Sequence, residues 1–237
     1  MQKYIIVTGG TKGIGRAVVM RFARAGFAVV TCARSAADLL TLAADVEEEL
    51  PGSELYTLAA DLSQPAGTRR FTDFVLALGG KIEVLINNTG AFTPGRLQDD
   101  DQDGSVLRHM IDVNLYSTYD VTRALLPSLL VHGGGHIFTM CSVASLRAYP
   151  SGGAYSVAKF ALLGLTKALR EELKEQNIRV TAVLPGATLT ASWEGANLPP
   201  ERFIKAEDVA EAIFGAYSLS PQAVVEELLI RPQLGDI

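Results

Sequence analysis

The chain has 237 residues, of which 48% are hydrophobic and 20% charged, a composition typical of globular proteins that excludes a disordered chain. Its 21 Lys and Arg against 26 Asp and Glu give a formal net charge of −5, and this acidic balance argues against nucleic acid as a partner. No apolar run reaches the roughly 18 residues that a membrane helix needs, so no membrane partner is predicted.

Short β-rich runs alternate with longer amphipathic runs along the chain. Strands are predicted at residues 4–8, 27–32, 54–59, 82–86, 136–140, 179–184 and 224–230. Helices are predicted at residues 14–25, 35–50, 66–78, 153–176 and 206–217, with two helical pieces inside 106–131. This alternation predicts a single doubly wound (Rossmann) α/β domain over residues 1–237, with a seven-stranded, mostly parallel sheet and helices on both faces.

The compartment is predicted from the start of the chain and from its cysteines. The first residues enter a strand directly, without the long apolar region and cleavage site of a signal peptide. Cys32 and Cys141 fall inside apolar runs that form or directly follow predicted strands, which indicates buried, reduced thiols. A cytoplasmic protein is expected.

A glycine-rich turn joins the first predicted strand to the first predicted helix. Residues 8–15 read Thr-Gly-Gly-Thr-Lys-Gly-Ile-Gly. Glycines let the backbone approach a pyrophosphate, and the helix N-terminus offers free N–H groups and the positive end of its dipole. The turn therefore predicts a dinucleotide site. The residues predicted to contact the cofactor here are Gly9, Thr11, Lys12, Gly13, Ile14 and Gly15.

The end of the second strand indicates which dinucleotide binds. NAD enzymes place an acidic residue there for the ribose hydroxyls, whereas this strand runs into Arg34. A guanidinium suits a 2′-phosphate, and Lys12 can supply a second positive charge. We predict NADP(H) rather than NAD(H), and the alternative is that both cations are ordinary solvated surface groups.

Tyr155 and Lys159 begin a predicted helix, and their spacing places both side chains on one face. An ammonium beside a phenol favours the phenolate, which predicts a lowered pKa for Tyr155. Such a tyrosine can give or take a proton at a carbonyl or alcohol oxygen, and the ammonium can also hold a nicotinamide ribose. Ser142, which follows the predicted strand 136–140, lies at the ligand-binding edge of the sheet and can orient the substrate oxygen.

Several polar residues stay ambiguous on the pattern alone. Ser145 competes with Ser142, and Ser151 and Ser156 are further alternatives. Asn114 can equally cap or kink a helix. The three histidines share no ligand spacing, so no metal site is predicted.

Together these motifs resemble those of the short-chain dehydrogenase/reductase family. The turn matches the family's Thr-Gly-x3-Gly-x-Gly motif, and Tyr-x3-Lys with a serine 13 residues earlier matches its catalytic pattern. The resemblance implies a catalytic tetrad in which the asparagine supports a water-linked proton path to the lysine. The tetrad residues are Asn114, Ser142, Tyr155 and Lys159, of which the last two also contact the cofactor.

Three further segments extend the resemblance. Residues 61–62 match the family's adenine contact, residues 87–90 match its Asn-Asn-Ala-Gly segment with Thr89 in place of alanine, and residues 185–190 match its nicotinamide loop. A turn or cap is the alternative role of Asp61. The cofactor residues that these segments add are Asp61, Leu62, Asn88, Pro185, Gly186, Thr188 and Thr190.

The implied activity is reduction of a small carbonyl to an alcohol, with Tyr155 as proton donor. The resemblance places specificity mainly in the loop 191–197 and near residues 92 and 146–149. Segments 142–144, 185–187 and 224–237 resemble bacterial sepiapterin-reductase-like members, which implies a pterin side-chain ketone. The substrate contacts predicted are Trp193, Tyr149 and Asp236, with closure over the nicotinamide as the alternative for the tryptophan and a solvated terminus for the aspartate.

Two other functions stay open. A 3-oxoacyl-thioester reductase uses identical catalytic residues, although it needs a basic patch for an acyl carrier, and a non-catalytic NADP sensor keeps the fold without turnover. The resemblance also implies a homo-oligomer, dimer or tetramer, formed through the two helices beside the active site. The candidate interface residues, for which core burial is an equal explanation, are Val121, Leu125, Leu126, Leu162, Leu163 and Leu165.

Overall fold

The computed structural model describes residues 1–100, 103–190, 193 and 197–237, and in these residues seven strands form one sheet. The strands are β1 (Lys3–Thr8), β2 (Ala28–Ala33), β3 (Leu55–Ala59), β4 (Lys81–Asn87), β5 (Gly135–Met140), β6 (Ile178–Pro185) and β7 (Glu227–Ile230). Their order is β3-β2-β1-β4-β5-β6-β7, and every pairing is parallel. The predicted seven-stranded doubly wound sheet is confirmed.

Helices cover both faces of the sheet. They are α1 (Gly13–Arg24), α2 (Ala36–Glu49), α3 (Pro65–Ala77), α4 (Ser105–Ile111), α5 (Ser117–Val131), α6 (Gly153–Leu173) and α7 (Ala206–Tyr217). One core cluster packs α1, α2 and α7 against the sheet, and a second packs α3, α5 and the end of α6 against the opposite face. Among the described helices, none is both long and apolar enough to cross a membrane.

The helical prediction over 106–131 needs one refinement. A single turn of π-helix, Asp112–Tyr116, joins α4 to α5, so the two predicted pieces form one nearly continuous helical segment. Such π turns occur mostly at functional sites, and this one carries Asn114. Periodicity alone does not reveal it, because the apolar pattern is judged over about 11–18 residues and this turn spans only 5.

The last strand is shorter than predicted, beginning at Glu227 rather than at residue 224. Side chains from β6 and α6 bind the backbone just before it. The Thr181 hydroxyl donates to the Val225 carbonyl, and the Arg170 guanidinium donates to the Glu226 carbonyl. These side-chain bonds belong to tertiary structure and are not visible in the strand pattern.

The strand order reverses between β1 and β4, because the chain crosses from β3 back over β2 and β1 before it forms β4. Ligands of doubly wound sheets bind outside the carboxyl ends of the strands at such a switch point. The glycine turn follows β1, residues 88–90 follow β4, Ser142 follows β5, and the loop 186–190 follows β6. The fold thereby gathers these separate motifs at one edge of the sheet.

His136 lies fully buried on β5 and makes the stability of the fold depend on pH. The Thr181 hydroxyl already donates to the Val225 carbonyl, so its oxygen accepts from His136 Nε2–H at 2.7 Å. The other ring nitrogen, Nδ1, is buried without a partner among the described residues. Burial, with a smaller contribution from Arg179, lowers the pKa of His136 from 6.5 to about 3.

Because the folded chain keeps His136 neutral, the unfolded chain binds more protons between pH 6.5 and 3. We therefore expect the free energy of unfolding to be unaffected by this group above pH 6.5 and to fall by about 1.4 kcal/mol per pH unit below it. Urea unfolding at pH 4.5 to 7.5 measures this slope. His136→Gln should flatten it, and the same change at the exposed His109 should not.

Candidate active site

The glycine turn is closed so tightly that side chains are excluded from it. Gly9 has φ = +69°, a left-handed conformation that favours glycine, and its N–H donates to the Cys32 carbonyl at 3.0 Å. A Cβ on Gly15 would lie 2.2 Å from the Gly9 carbonyl oxygen. The start of α1 therefore sits directly on the turn, with its free N–H groups at the surface that a pyrophosphate would approach.

Hydrogen bonds from Asn88 connect the glycine turn to the end of β4. Its side-chain Nδ2 donates to the carbonyls of Thr8 and Gly9, each at 3.0 Å. The buried Thr8 hydroxyl in turn accepts from the backbone N–H groups of Asn88 and Thr89 at 2.9 and 3.0 Å. This reciprocal set of bonds fixes the turn relative to the sheet edge, and the substitution of Thr89 for alanine leaves it intact.

The proposed ribose end of the cofactor site carries two exposed cations. Arg34 is exposed directly after β2. Lys12 is also exposed, and its Nζ lies 2.8 Å from Asp38 Oδ2 at the start of α2. No acidic side chain occupies the last positions of β2, so the strand end offers positive charge to a 2′-phosphate, as NADP(H) requires.

The two predicted adenine contacts have different surroundings. The carboxylate of Asp61 accepts from the Ser63 N–H at 3.0 Å and from its hydroxyl at 2.8 Å, so it serves as a turn cap through Oδ1. The Leu62 side chain is buried in the core against the α3–α5 face. Contact of Leu62 with a cofactor is therefore limited to its backbone.

The loop after β6 folds towards the glycine turn. Thr190 lies beside Gly13, where its Cγ2 is 2.9 Å from the position of an added Cβ. The Thr188 hydroxyl donates to the Gly186 carbonyl at 3.0 Å, and Pro185 ends the strand, buried. The segment 185–190 thus reaches the same edge as the turn, although 170 residues separate them in sequence.

Tyr155 and Ser142 meet at the carboxyl end of β5. Ser142 lies near enough to the Tyr155 hydroxyl to lower the pKa of the phenol by hydrogen bonding, although burial raises that pKa overall. The Ser142 oxygen also accepts from the Ala144 N–H at 3.1 Å, and the Ser145 hydroxyl accepts from the Ser142 N–H at 3.2 Å. Ser145 therefore supports Ser142. Of the other competing serines, Ser151 is exposed, and the buried Ser156 hydroxyl has no hydrogen-bond partner in the part of the chain that the structure describes.

Lys159 and Asn114 lie on the buried side of Ser142 and Tyr155 and complete the predicted tetrad. The buried Lys159 ammonium donates to the Met140 carbonyl at 2.8 Å and lies 5.6 Å from the centre of the Tyr155 ring. Asn114 donates from Nδ2 to the Ala91 and Met110 carbonyls, each at 3.0 Å. Both side chains approach Gly90, where an added Cβ would be 2.8 Å from Asn114 Oδ1 and 3.5 Å from Lys159 Nζ.

The pKa values in this pocket are governed by burial. Burial raises the pKa of Tyr155, and the hydrogen bond from Ser142 opposes that rise only in part. Burial likewise lowers the pKa of Lys159 to about 8. The predicted lowering of the tyrosine pKa is therefore wrong for the ligand-free chain, because desolvation of the phenolate is the largest influence on it. A protonated Tyr155 is the form that can donate a proton to a carbonyl oxygen.

The arrangement is suited to proton transfer at a carbonyl beside a dinucleotide. A hydroxyl pair at the sheet edge can hold and protonate one oxygen, and a buried ammonium stands behind the phenol. Among the described residues, no group of three or more His, Cys, Asp or Glu side chains could hold a metal ion.

Comparison with known proteins agrees with this site. The family model of the short chain dehydrogenases matches residues 3–200. The chain belongs to the short-chain dehydrogenase/reductase family. It is therefore an oxidoreductase by family, and the matched region contains all four residues of the tetrad that the sequence predicts.

Individual relatives are similar over their whole length. The sepiapterin reductase of Chlorobaculum tepidum is 33% identical over 245 aligned residues, which cover 100% of this chain and 99% of the relative. An alcohol dehydrogenase of Thermococcus sibiricus in complex with 5-hydroxy-NADP superposes with a TM-score of 0.88 at 30% identity, covering 98% of this chain and 97% of that one. A metagenomic short-chain oxidoreductase in complex with NADP gives a TM-score of 0.84 at 29% identity, covering 98% and 97%.

Aromatic side chains border the tyrosine of this short-chain dehydrogenase/reductase. The Phe92 ring meets Tyr155 edge-on, with centroids 5.1 Å apart. Tyr149 is partly exposed near Tyr155, and burial raises its pKa to about 12. Within the predicted specificity loop, residues 191, 192 and 194–196 lie outside the described residues.

Two further predicted substrate contacts have partners of their own. Trp193 packs edge-on against Phe203, with ring centroids 5.3 Å apart. Asp236 forms an ion pair with Arg231 at 2.5 Å, and its other oxygen lies 3.5 Å from a Cβ added to Gly186. Asp236 and Pro232 thus lie beside the loop after β6, while the Asp236 side chain stays 46% exposed to solvent.

Sequence reasoning missed the residues that hold the site together. The Thr8 hydroxyl accepts from the Asn88 N–H, Gly90 lies against Asn114 and Lys159, and the Met140 carbonyl accepts from Lys159. Thr8 and Gly90 belong to the glycine motif and to the segment 87–90, which were the signals for them, whereas Met140 acts through its backbone and its side chain gives no signal. Four of the candidate interface residues are buried within the chain, so they pack in the core: Val121, Leu125, Leu162 and Leu163.

Proposed function

We propose that the chain is a single NADP(H)-binding domain over residues 1–237 that reduces a small carbonyl compound to an alcohol. The observation that carries the proposal is the convergence of Ser142, Tyr155, Lys159 and Asn114 at the sheet edge beside the glycine turn. NADPH, when bound, supplies the hydride that such a reduction needs. The remaining steps belong to the chain's own residues.

The support for NADP(H) is the charge at the end of β2. Arg34 and Lys12 would hold the 2′-phosphate, and Gly9, Gly13 and Gly15 leave room for the pyrophosphate at the start of α1. Both similar structures described above were solved with NADP or an NADP derivative. Lys159 and Tyr155 would hold the nicotinamide ribose, and the loop 185–190 would cover the nicotinamide.

Proton delivery is the role proposed for the tetrad. Ser142 and Tyr155 bind the carbonyl oxygen, and the protonated Tyr155 donates as negative charge develops there. The buried Lys159 ammonium stabilises the phenolate left behind, and Asn114 supports proton return to the lysine through water. A raised pKa of Tyr155 is consistent with this direction, because the donor is protonated before the reaction.

The proposed substrate is a pterin that carries a side-chain ketone, or a diketone of similar size. The full-length similarity to a sepiapterin reductase supports the pterin, and the aromatic rings of Phe92 and Tyr149 beside Tyr155 suit a flat heterocycle. Asp236 would contact the polar edge of that ring system, which requires exchange of its ion pair with Arg231. Trp193 would close the pocket from the opposite loop.

Cofactor titration followed by a substrate panel tests the proposal. NADPH and NADH are titrated into the purified chain, and NADPH oxidation is then followed with sepiapterin, diketones, quinones and an acetoacetyl thioester. We expect tighter binding of NADPH than NADH, and turnover with sepiapterin or a diketone. Preference for NADH would contradict the role of Arg34, turnover only with the thioester would favour an acyl-thioester reductase, and binding without turnover would favour a sensor.

We further propose a cytoplasmic homo-oligomer formed through α5 and α6. Both helices expose apolar side chains, among them Tyr119 on α5 and Val157 and Phe160 on α6, and Tyr116 is exposed in the π turn just before α5. Exposed apolar patches mark interaction surfaces. The free, buried cysteines suit a reducing compartment. Light scattering that gives the mass of one 25.3 kDa chain would contradict the oligomer.

A further inference from the structure

An ion pair joins the glycine turn to the start of α2 beside the proposed 2′-phosphate site. Lys12, in the glycine turn, lies with its Nζ 2.8 Å from Asp38 Oδ2. Asp38 is the third residue of α2, and its N–H donates to the hydroxyl of the N-cap Ser35 at 3.1 Å. Asp38 lies in the first turn of α2, where a negatively charged side chain interacts favourably with the helix dipole.

The Asp38 carboxylate thus already pairs with a lysine that is proposed to bind the 2′-phosphate of the cofactor. Arg34 lies one residue before Ser35 and, within the described ranges, forms no ion pair. Of the two cations proposed to bind the 2′-phosphate, Arg34 is therefore available and Lys12 is held by a carboxylate. A phosphate that enters between them must share Lys12 with Asp38 or displace it.

We propose that Asp38 sets the selectivity between NADPH and NADH by competing with the 2′-phosphate for Lys12. The inference rests on the NADP(H) dependence proposed above. NADH has no 2′-phosphate, so its binding does not require Lys12 to leave Asp38. The carboxylate therefore reduces the affinity for NADPH selectively, and Arg34 provides the preference that remains.

The expected size of the effect of Asp38 on NADPH affinity follows from the solvent exposure of its ion pair with Lys12. The side chains of Lys12 and Asp38 are 68% and 35% exposed, so water and salt screen the pair. Exposed ion pairs of this kind are worth up to about 1 kcal/mol, which corresponds to about five-fold in affinity. We expect Asp38→Asn to tighten NADPH binding by about this factor, and the gain to shrink as salt is raised.

Binding of adenosine 2′,5′-bisphosphate and 5′-AMP tests the proposal without turnover, because these two probes differ only in the 2′-phosphate. Titration calorimetry on the full chain should show that Asp38→Asn binds the bisphosphate and NADPH about five-fold more tightly and leaves 5′-AMP and NADH within about two-fold. Asp45→Asn is the matched control. It removes the same charge from the same helix, where Asp45 pairs with Arg16 at 3.0 Å instead of with Lys12.

The variant Lys12→Met tests whether the gain in bisphosphate affinity caused by Asp38→Asn depends on Lys12. In that background Asp38→Asn should give no further gain in bisphosphate affinity. A gain that survives without Lys12, an equal gain for NADH, or an equal gain in Asp45→Asn would each overturn the proposal. A parent chain that binds neither NADPH nor the bisphosphate would contradict the proposed function itself, whereas normal NADPH binding that is unchanged in Asp38→Asn contradicts only the role of Asp38.

Discussion

Replacement of Tyr155 with phenylalanine is expected to lower kcat/KM for carbonyl reduction by about 10²- to 10⁴-fold, the range for loss of a general acid. The substitution removes only the hydroxyl, so the ring keeps its edge contact with Phe92 and the fold should be unaffected. NADPH binding should change no more than several-fold, since the glycine turn and Arg34 are untouched. Single-turnover oxidation of NADPH separates the chemical step from binding.

Tyr149→Phe is the matched control for that experiment. Tyr149 lies close enough to interact electrostatically with Tyr155, and burial raises its pKa to about 12, but it has no lysine four residues later. We expect its variant to keep kcat within a few-fold of the parent, with any loss appearing in KM. Full activity in Tyr155→Phe, or an equal loss of kcat in both variants, would contradict proton donation by Tyr155.

Gly15→Ala is expected to weaken NADPH binding by about 100-fold, which corresponds to about 2.8 kcal/mol. The added methyl group would lie 2.2 Å from the Gly9 carbonyl oxygen and 2.5 Å from Asn88 Nδ2. The turn must therefore move away from α1, and the bonds from Asn88 to the Thr8 and Gly9 carbonyls must lengthen or break. Overpacking of this kind also costs about 1–3 kcal/mol of stability, which urea unfolding measures.

Gly215→Ala separates this effect from a general response to alanine. Gly215 is exposed on α7, and nothing lies within 4 Å of its added Cβ. The same substitution there should leave NADPH affinity unchanged and raise the free energy of unfolding by up to about 1 kcal/mol, because alanine favours the helix. Wild-type NADPH affinity in a folded Gly15→Ala chain would show that the turn does not approach the pyrophosphate.

The sequence by itself determined the alternation of strands and helices, the glycine turn and the spacing of Tyr155 and Lys159. Each of these depends on residues close together in the chain, where periodicity and turn chemistry act locally. The gathering of the motifs at one edge followed as well, because parallel strands place their carboxyl ends at the same edge of the sheet.

Tertiary structure decided the rest. The hydroxyl that acts on Tyr155 is that of Ser142, whereas the hydroxyl of Ser145 accepts from the Ser142 N–H. The bonds between Asn88 and Thr8, the bond from Asn114 in the π turn to the Ala91 carbonyl, and the pairing of Lys12 with Asp38 all join segments far apart in sequence. No local pattern encodes such contacts.

The pKa of Tyr155 is the clearest case of a property that the local sequence pattern does not predict. The spacing to Lys159 predicts a lowered pKa, but the depth of burial, which depends on the whole packed pocket, raises it in the ligand-free chain. Sequence therefore fixes which groups lie near one another along a helix. Their protonation is decided by how much water the folded chain excludes from them, because desolvation opposes the charged form.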